Sequence, residues 1–196
     1  FFFFEKGHQN TEEHFTKPQE FYNNVVKTLD HLDTVLPANS YVVFIGLADG
    51  GLLYPYLHNL THPIGGCTYE QVYDFLNCLE ISPCRGWMNS NATVRDITTK
   101  AAENLSLQYS KIIQDKQYKN FKMIYHDFPM DQIVAEYLKK GGKFIDLIEP
   151  VDGFHPSQLS ASLSAQVFYE WVSKEYPDIL GPINPNNAKI AQMFGN

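Results

Sequence analysis

Tyr41 to Leu47 reads Tyr-Val-Val-Phe-Ile-Gly-Leu, an uncharged run dense in β-branched and aromatic residues. A strand with one wet face alternates polar and apolar residues. A run without alternation is the pattern of a strand covered on both faces, as in a parallel sheet. Gly46 and the Ala48-Asp49-Gly50-Gly51 turn close this run, and Phe121 to His126 supplies a second. Parallel strands need long crossovers, and helical signals fill the space around both runs. Lys17 to Leu36 places Phe21, Val25, Leu29, Leu32 and Leu36 near a 3.6-residue period, with Pro18 in its first turn and Pro37 as its stop.

Between the runs, Leu52 to Gly66 reads as irregular or partly helical, interrupted by Pro55 and Pro63. Thr68 to Leu79 opens with a Thr68/Gln71 capping pattern and carries Val72, Phe75, Leu76 and Leu79 on one face. A longer helix follows from about Thr93 to Asp115, with Leu105, Tyr109, Ile112 and Ile113. Beyond the second run, Met130 to Lys140 is a helix stopped by Gly141-Gly142. Phe144 to Ile148 is a short apolar, sheet-like stretch. A last helix runs from Pro156 to about Glu175, with Leu159, Leu163, Val167, Trp171 and Val172 as its core stripe. This alternation predicts an α/β sandwich around a parallel sheet, built as one domain or part of one.

The 196 residues are 44% apolar and 14% aromatic, enough for a substantial core. A net charge of -7, a pI near 5.4 and scattered Lys and Arg argue against nucleic acid as a partner. No uncharged apolar run reaches the ~20 residues of a spanning helix. Phe1 to Phe4 lead into the polar segment Glu5 to Glu13, which lacks the layout of a signal peptide. Residues 1–14 therefore read as a truncated start and 15–196 as the domain.

Sheets of this kind carry their sites on the loops after the carboxyl ends of strands. On such a loop stand Asp152, Gly153, His155 and Pro156. A carboxylate three residues before a histidine, across a glycine turn, can hold the imidazole in one tautomer for general-base work. Pro156 suits the first turn of the following helix, and Ser157 suits its N-terminus. Asp49 and Gly50 follow a strand and face the same edge of the sheet, so substrate contact is open to them beside a plain turn role. Trp87 and Met88 could line an acyl groove or belong to the local core. His58 and His62 have the spacing of a helical metal pair, yet they lack an intervening Glu and Pro63 follows directly; loop hydrogen bonding is their expected role.

Three Asn-x-Ser/Thr sequons, at Asn59, Asn91 and Asn104, exceed the ~1.4 expected by chance from the composition. Cys78 and Cys84 are spaced for a small disulfide loop, with Cys67 left over; three buried thiols are the alternative. Together these lean towards a secreted or lysosomal glycoprotein.

The stretch from Phe121-Lys122-Met123-Ile124-Tyr125-His126-Asp127 to Asp152-Gly153-Phe154-His155-Pro156 and its helix resembles the C-terminal part of a GDSL/SGNH hydrolase. Further blocks, Gly46-Leu47-Ala48-Asp49-Gly50, Asn77-Cys78-Leu79, Ser82-Pro83-Cys84-Arg85-Gly86-Trp87-Met88 and Glu149-Pro150-Val151-Asp152-Gly153-Phe154-His155-Pro156, resemble one lipid-deacylating branch of that family. The likeness runs from about Phe15 to Phe194. It implies a three-layer α/β/α SGNH-hydrolase (flavodoxin-like) fold with a parallel sheet, its N-terminal part missing. It also implies an esterase that releases secondary, acyloxy-linked fatty acyl chains from lipopolysaccharide, made as a precursor with a saposin-like portion.

By the same resemblance His155 is the general base and Asp152 its orienting acid. The family's Gly-Asp-Ser nucleophile block and Gly-x-Asn-Asp oxyanion block have no counterpart among the ten serines and fourteen asparagines here. The chain alone is accordingly expected to be inactive. Calcium is implied for the full-length protein, through ligands upstream of this chain. Two other readings remain: an SGNH esterase acting on phospholipids or acetylated glycans, and a non-catalytic secreted lipid-binding module.

Overall fold

The computed structural model describes residues 15–82 and 84–195, so the Phe1–Phe4 quartet and the remainder of 1–14 lie outside the described residues. Helix α1 (Pro18–Val35) leads into strand β1 (Ser40–Ile45). A 3-10 turn (Gly50–Leu52), α2 (Leu53–Leu57), α3 (Tyr69–Cys78) and α4 (Ala92–Asp115) separate it from β2 (Phe121–His126). Then come α5 (Met130–Lys139), a second 3-10 turn (Phe144–Leu147), α6 (Gln158–Glu175), α7 (Pro177–Leu180) and α8 (Asn187–Phe194). The two strands pair in parallel, Ser40 opposite Phe121 through Ile45 opposite His126. Among the described residues they form the sheet by themselves.

A parallel pair gains stability chiefly from what covers it. On one face the cover is α1 and α4: Phe44 stacks on Tyr109 at 4.7 Å, and Phe21 meets the same ring edge-on at 5.3 Å. Leu29, Leu105, Ile112 and Phe121 complete this core, so the apolar periods of both helices are borne out. The other face differs from the expectation of strands buried on both sides. Ile45 is 45% exposed, and most strand residues are only half-buried. Cover arrives there at the β2 end, where the Trp171 ring of α6 lies 4.2 Å from the His126 ring in a T-shape.

A second core sits beyond the carboxyl ends of the strands. Leu53, Leu57, Tyr69, Tyr73, Met88, Met130, Ile133, Phe144 and Leu147 pack there. The Thr68 capping box is formed as expected: the Thr68 hydroxyl accepts from the Gln71 amide, and the Gln71 side chain accepts from the Thr68 amide. The face that α3 buries is not the expected one. Tyr69 and Tyr73 turn inward, while Phe75 and Leu79 are exposed. A tyrosine brings a large ring and a hydroxyl that can pair with a buried carbonyl, and this core needs both.

Phe144 to Leu147 forms a 3-10 turn where a sheet-like segment was expected. Phe144 and Leu147 stand three apart, so one turn drops both into the core. The Asp146 carboxylate closes the turn by accepting from the Lys143 amide at 3.0 Å. Helix α6 starts at Gln158 instead of Pro156, because Ser157 takes the N-cap and its hydroxyl accepts from the Ser160 amide at 3.2 Å. Its stripe is buried at Val172, half-buried at Leu163, Val167 and Trp171, and open at Leu159.

The expected Cys78–Cys84 disulfide is absent, and all three cysteines are thiols. Cys78 closes α3 with its side chain exposed, whereas Cys84 packs against the second core. The left-handed backbone at Glu80 (φ 58°) turns the chain between them. No helix among the described residues is long and apolar enough to cross a membrane.

Ile112 is fully enclosed between α4 and the sheet. Ile112→Ala should cost about 2–5 kcal/mol of unfolding free energy, read from the denaturation midpoint.

Candidate active site

Asp152 and His155 belong to a closed loop between the second 3-10 turn and α6. Ile148 and Pro156 form an antiparallel bridge at its base. Within it the Glu149 amide donates to the His155 carbonyl at 2.8 Å, and the Gly153 amide donates to the Glu149 carbonyl at 2.9 Å. Gly153 has φ +64°, and a Cβ on it would stand 2.7 Å from the Tyr69 ring. Glycine is required at this position twice over, for the backbone angle and for the close approach.

The Asp152 carboxylate is used on both sides. Oδ1 accepts the Phe154 amide at 2.8 Å and the His155 amide at 3.0 Å. Oδ2 lies 2.7 Å from His155 Nδ1. In the neutral ring that contact favours the proton on Nδ1, the arrangement expected of a general base and its orienting acid. Both side chains remain about half exposed, so water and substrate can reach them.

An apolar pocket of about 300 Å³ adjoins the imidazole. Leu47, Leu53, Phe128, Met130, Phe144 and Phe154 give it hydrocarbon walls. Three residues marked in the sequence meet here: Asp49, Gly50 and Trp87 all line the same pocket as His155. A hydrogen-bond chain fixes them. The Trp87 indole N–H donates to the Thr99 hydroxyl at 3.0 Å, and that hydroxyl donates to Asp49 Oδ1 at 2.7 Å. The Gly51 amide reaches the same oxygen at 2.7 Å. A Cβ on Gly50 would lie 2.4 Å from the indole, so glycine lets Trp87 lie flat against the turn. Met88 is buried in the second core and does not line the pocket.

His58 and His62 serve the loops. His58 Nδ1 donates to the Tyr54 carbonyl at 2.8 Å. His62 is buried; its Nε2 donates to the Val151 carbonyl at 2.7 Å, and its Nδ1 accepts from the Ile64 amide at 3.2 Å. The hydroxyl of Tyr69 donates to the Pro150 carbonyl, and that of Tyr73 to the Gly153 carbonyl at 3.0 Å. Burial, reinforced by the Asp152 charge, raises both phenol pKa values above their ordinary value, so both stay protonated donors. The sequence reading missed these two tyrosines. Their i, i+4 spacing and phenolic hydroxyls were the available signal.

Ser157, next to the site in sequence, is committed elsewhere: its hydroxyl donates to the Asp146 carbonyl at 2.7 Å and caps α6. The sequon residues Asn59, Asn91 and Asn104 are all exposed. Asn91 Oδ1 caps α4 by accepting the Thr93 amide.

No family model matches the chain. Among curated proteins it is 46% identical over 185 residues to acyloxyacyl hydrolase of Homo sapiens, 42% to that of Mus musculus and 43% to that of Oryctolagus cuniculus. Each match covers 92% of this chain and 32% of the relative, so the chain spans about a third of the length of the curated relatives it matches. By sequence the chain is similar to about one third of each of these acyloxyacyl hydrolases.

Proposed function

We propose that this chain is the acid–base part of a lipid esterase that releases secondary fatty acyl chains from lipopolysaccharide. The observation that carries this reading is the Asp152–His155 pair, 2.7 Å apart, beside a pocket walled by hydrocarbon. In it His155 Nε2 takes the proton of a serine hydroxyl as that oxygen attacks the ester carbonyl. The imidazolium, steadied by Asp152, then returns the proton to the leaving alcohol, and water hydrolyses the acyl-enzyme by the same relay. The serine and the oxyanion donors come from a part of the protein beyond this chain, so this chain by itself is inactive. None of its ten serines lies in a Gly-Asp-Ser block, and Ser157 is occupied as a helix cap.

The parallel pair of strands is compatible with the three-layer SGNH arrangement, in which α1 and α4 form one outer layer and α6 part of the other. A pocket of this size and lining favours a long acyl chain over an acetyl group, which supports a lipid over an acetylated glycan as substrate. Exposure of all three sequons agrees with a secreted or lysosomal glycoprotein. The saposin-like portion of the precursor and calcium complete the reading for the full-length protein.

In the full-length enzyme, His155→Ala should lower kcat for fatty-acid release from lipopolysaccharide by about 1,000-fold or more. A rate within a few-fold of the parent refutes the base assignment. Trp87→Ala should remove a pocket wall and cut kcat/KM about tenfold on long acyl chains, with a smaller effect on acetyl esters. A substrate series of increasing acyl length measures that difference.

A further inference from the structure

The three donors that grip the Asp152 loop do more than hold it in place. His62, Tyr69 and Tyr73 are each less than a tenth exposed, and they donate to the carbonyls of Val151, Pro150 and Gly153, on both sides of Asp152. A peptide unit is planar and rigid, so fixing its carbonyl fixes its N–H. The Gly153 carbonyl and the Phe154 amide share one such plane. Tyr73 holds the carbonyl at 3.0 Å, and the opposite edge of the same plane donates to Asp152 Oδ1 at 2.8 Å. On the other side the Val151 carbonyl, held by His62, shares its plane with the Asp152 amide.

We propose that Tyr73, assisted by His62 and Tyr69, is a positioning residue for His155. Its hydroxyl sets the tilt of the 153–154 peptide, that peptide holds Oδ1 of Asp152, and the remaining oxygen is thereby aimed at Nδ1 of the imidazole. Gly153 is integral to the device, since its φ of +64° and its contact with the Tyr69 ring let the peptide lie against α3. The inference deepens the esterase reading and rests on it for its kinetic consequences.

Two measurements on the full-length enzyme test it. The first needs no turnover: the low-field Nδ1–H proton resonance of His155 should be present in the parent and broadened or lost in Tyr73→Phe, which removes one oxygen and keeps the ring. An unchanged resonance overturns the relay whatever the reaction. The second is a double-mutant cycle. Tyr73→Phe should lower kcat about 10- to 100-fold with KM within about twofold, as a small misplacement of a catalytic group does. On an Asp152→Asn background the same change should alter kcat by less than about twofold, because the two act through one pair. An equal loss on both backgrounds, or a loss of thermal stability with kcat intact, makes Tyr73 merely structural and overturns the proposal.

His62 supplies an independent arm should Tyr73→Phe fail to fold. His62→Gln, whose amide can stand in for the Nε2 donor, should keep the resonance and most of the rate. His62→Leu should lose both, and equal behaviour of the two overturns the assignment. Failure of the esterase reading itself gives a different pattern: His155→Ala would retain activity while the resonance behaves as described.

Discussion

A loop without regular secondary structure must satisfy its backbone polar groups some other way. In this protein that constraint falls on the residues between Ile148 and Pro156. The bridge at the base, made by the Glu149 amide on the His155 carbonyl and the Ser157 amide on the Leu147 carbonyl, and the bond from the Gly153 amide to the Glu149 carbonyl close the loop on itself. Of the carbonyls that remain, those of Pro150, Val151 and Gly153 are met by buried donors from the His62 loop and from α3. The second core is arranged around that need. Its largest enclosed side chains are tyrosines, although leucine would bury apolar area with no polar atom to satisfy.

The pocket obeys a similar logic at the end of β1. A turn of Asp and glycines leaves the strand, and its aspartate anchors Thr99 of α4 and, through it, the indole of Trp87. Glycine at position 50 makes room for the ring. Hydrocarbon walls and a polar, hydrogen-bonded rim thus come from segments far apart in sequence. They meet because the strand ends and the loop before α6 open on the same side.

Much of this was legible in the residues alone. Capping and periodicity are local, and they placed α1, α3, α4, α5 and α6 within a residue or two. Helix α2 was read only as partly helical, and α7 and α8 had no such signal. The Asp152, Gly153 and His155 pattern is equally local, since one turn realises it. What escaped was decided by partners distant in sequence. Phe75 and Leu79 look like the buried face of α3 until the carbonyls awaiting Tyr69 and Tyr73 are known. Phe144 to Ile148 is apolar enough for a strand, but among the described residues no neighbouring strand accepts it, and Phe144 and Leu147 fall inward at turn spacing. The cysteine spacing allowed a bridge, but Cys78 ends exposed on α3 while Cys84 packs against the second core. His62 was recognised as a polar loop residue, but the carbonyl it serves lies 89 positions away.

The division of labour within the Asp152 carboxylate has a consequence for substitution. Its first oxygen is claimed by two backbone N–H groups, which can only donate. An asparagine there would be forced into one orientation, with its carbonyl towards the main chain and its NH2 towards the imidazole. The loop would keep its shape, and the ring would answer by moving its own hydrogen from Nδ1 to Nε2. The main chain therefore dictates, through a side chain it never leaves, which end of a histidine carries the hydrogen. An isosteric replacement would keep the loop's hydrogen bonds while reversing the tautomer of the ring.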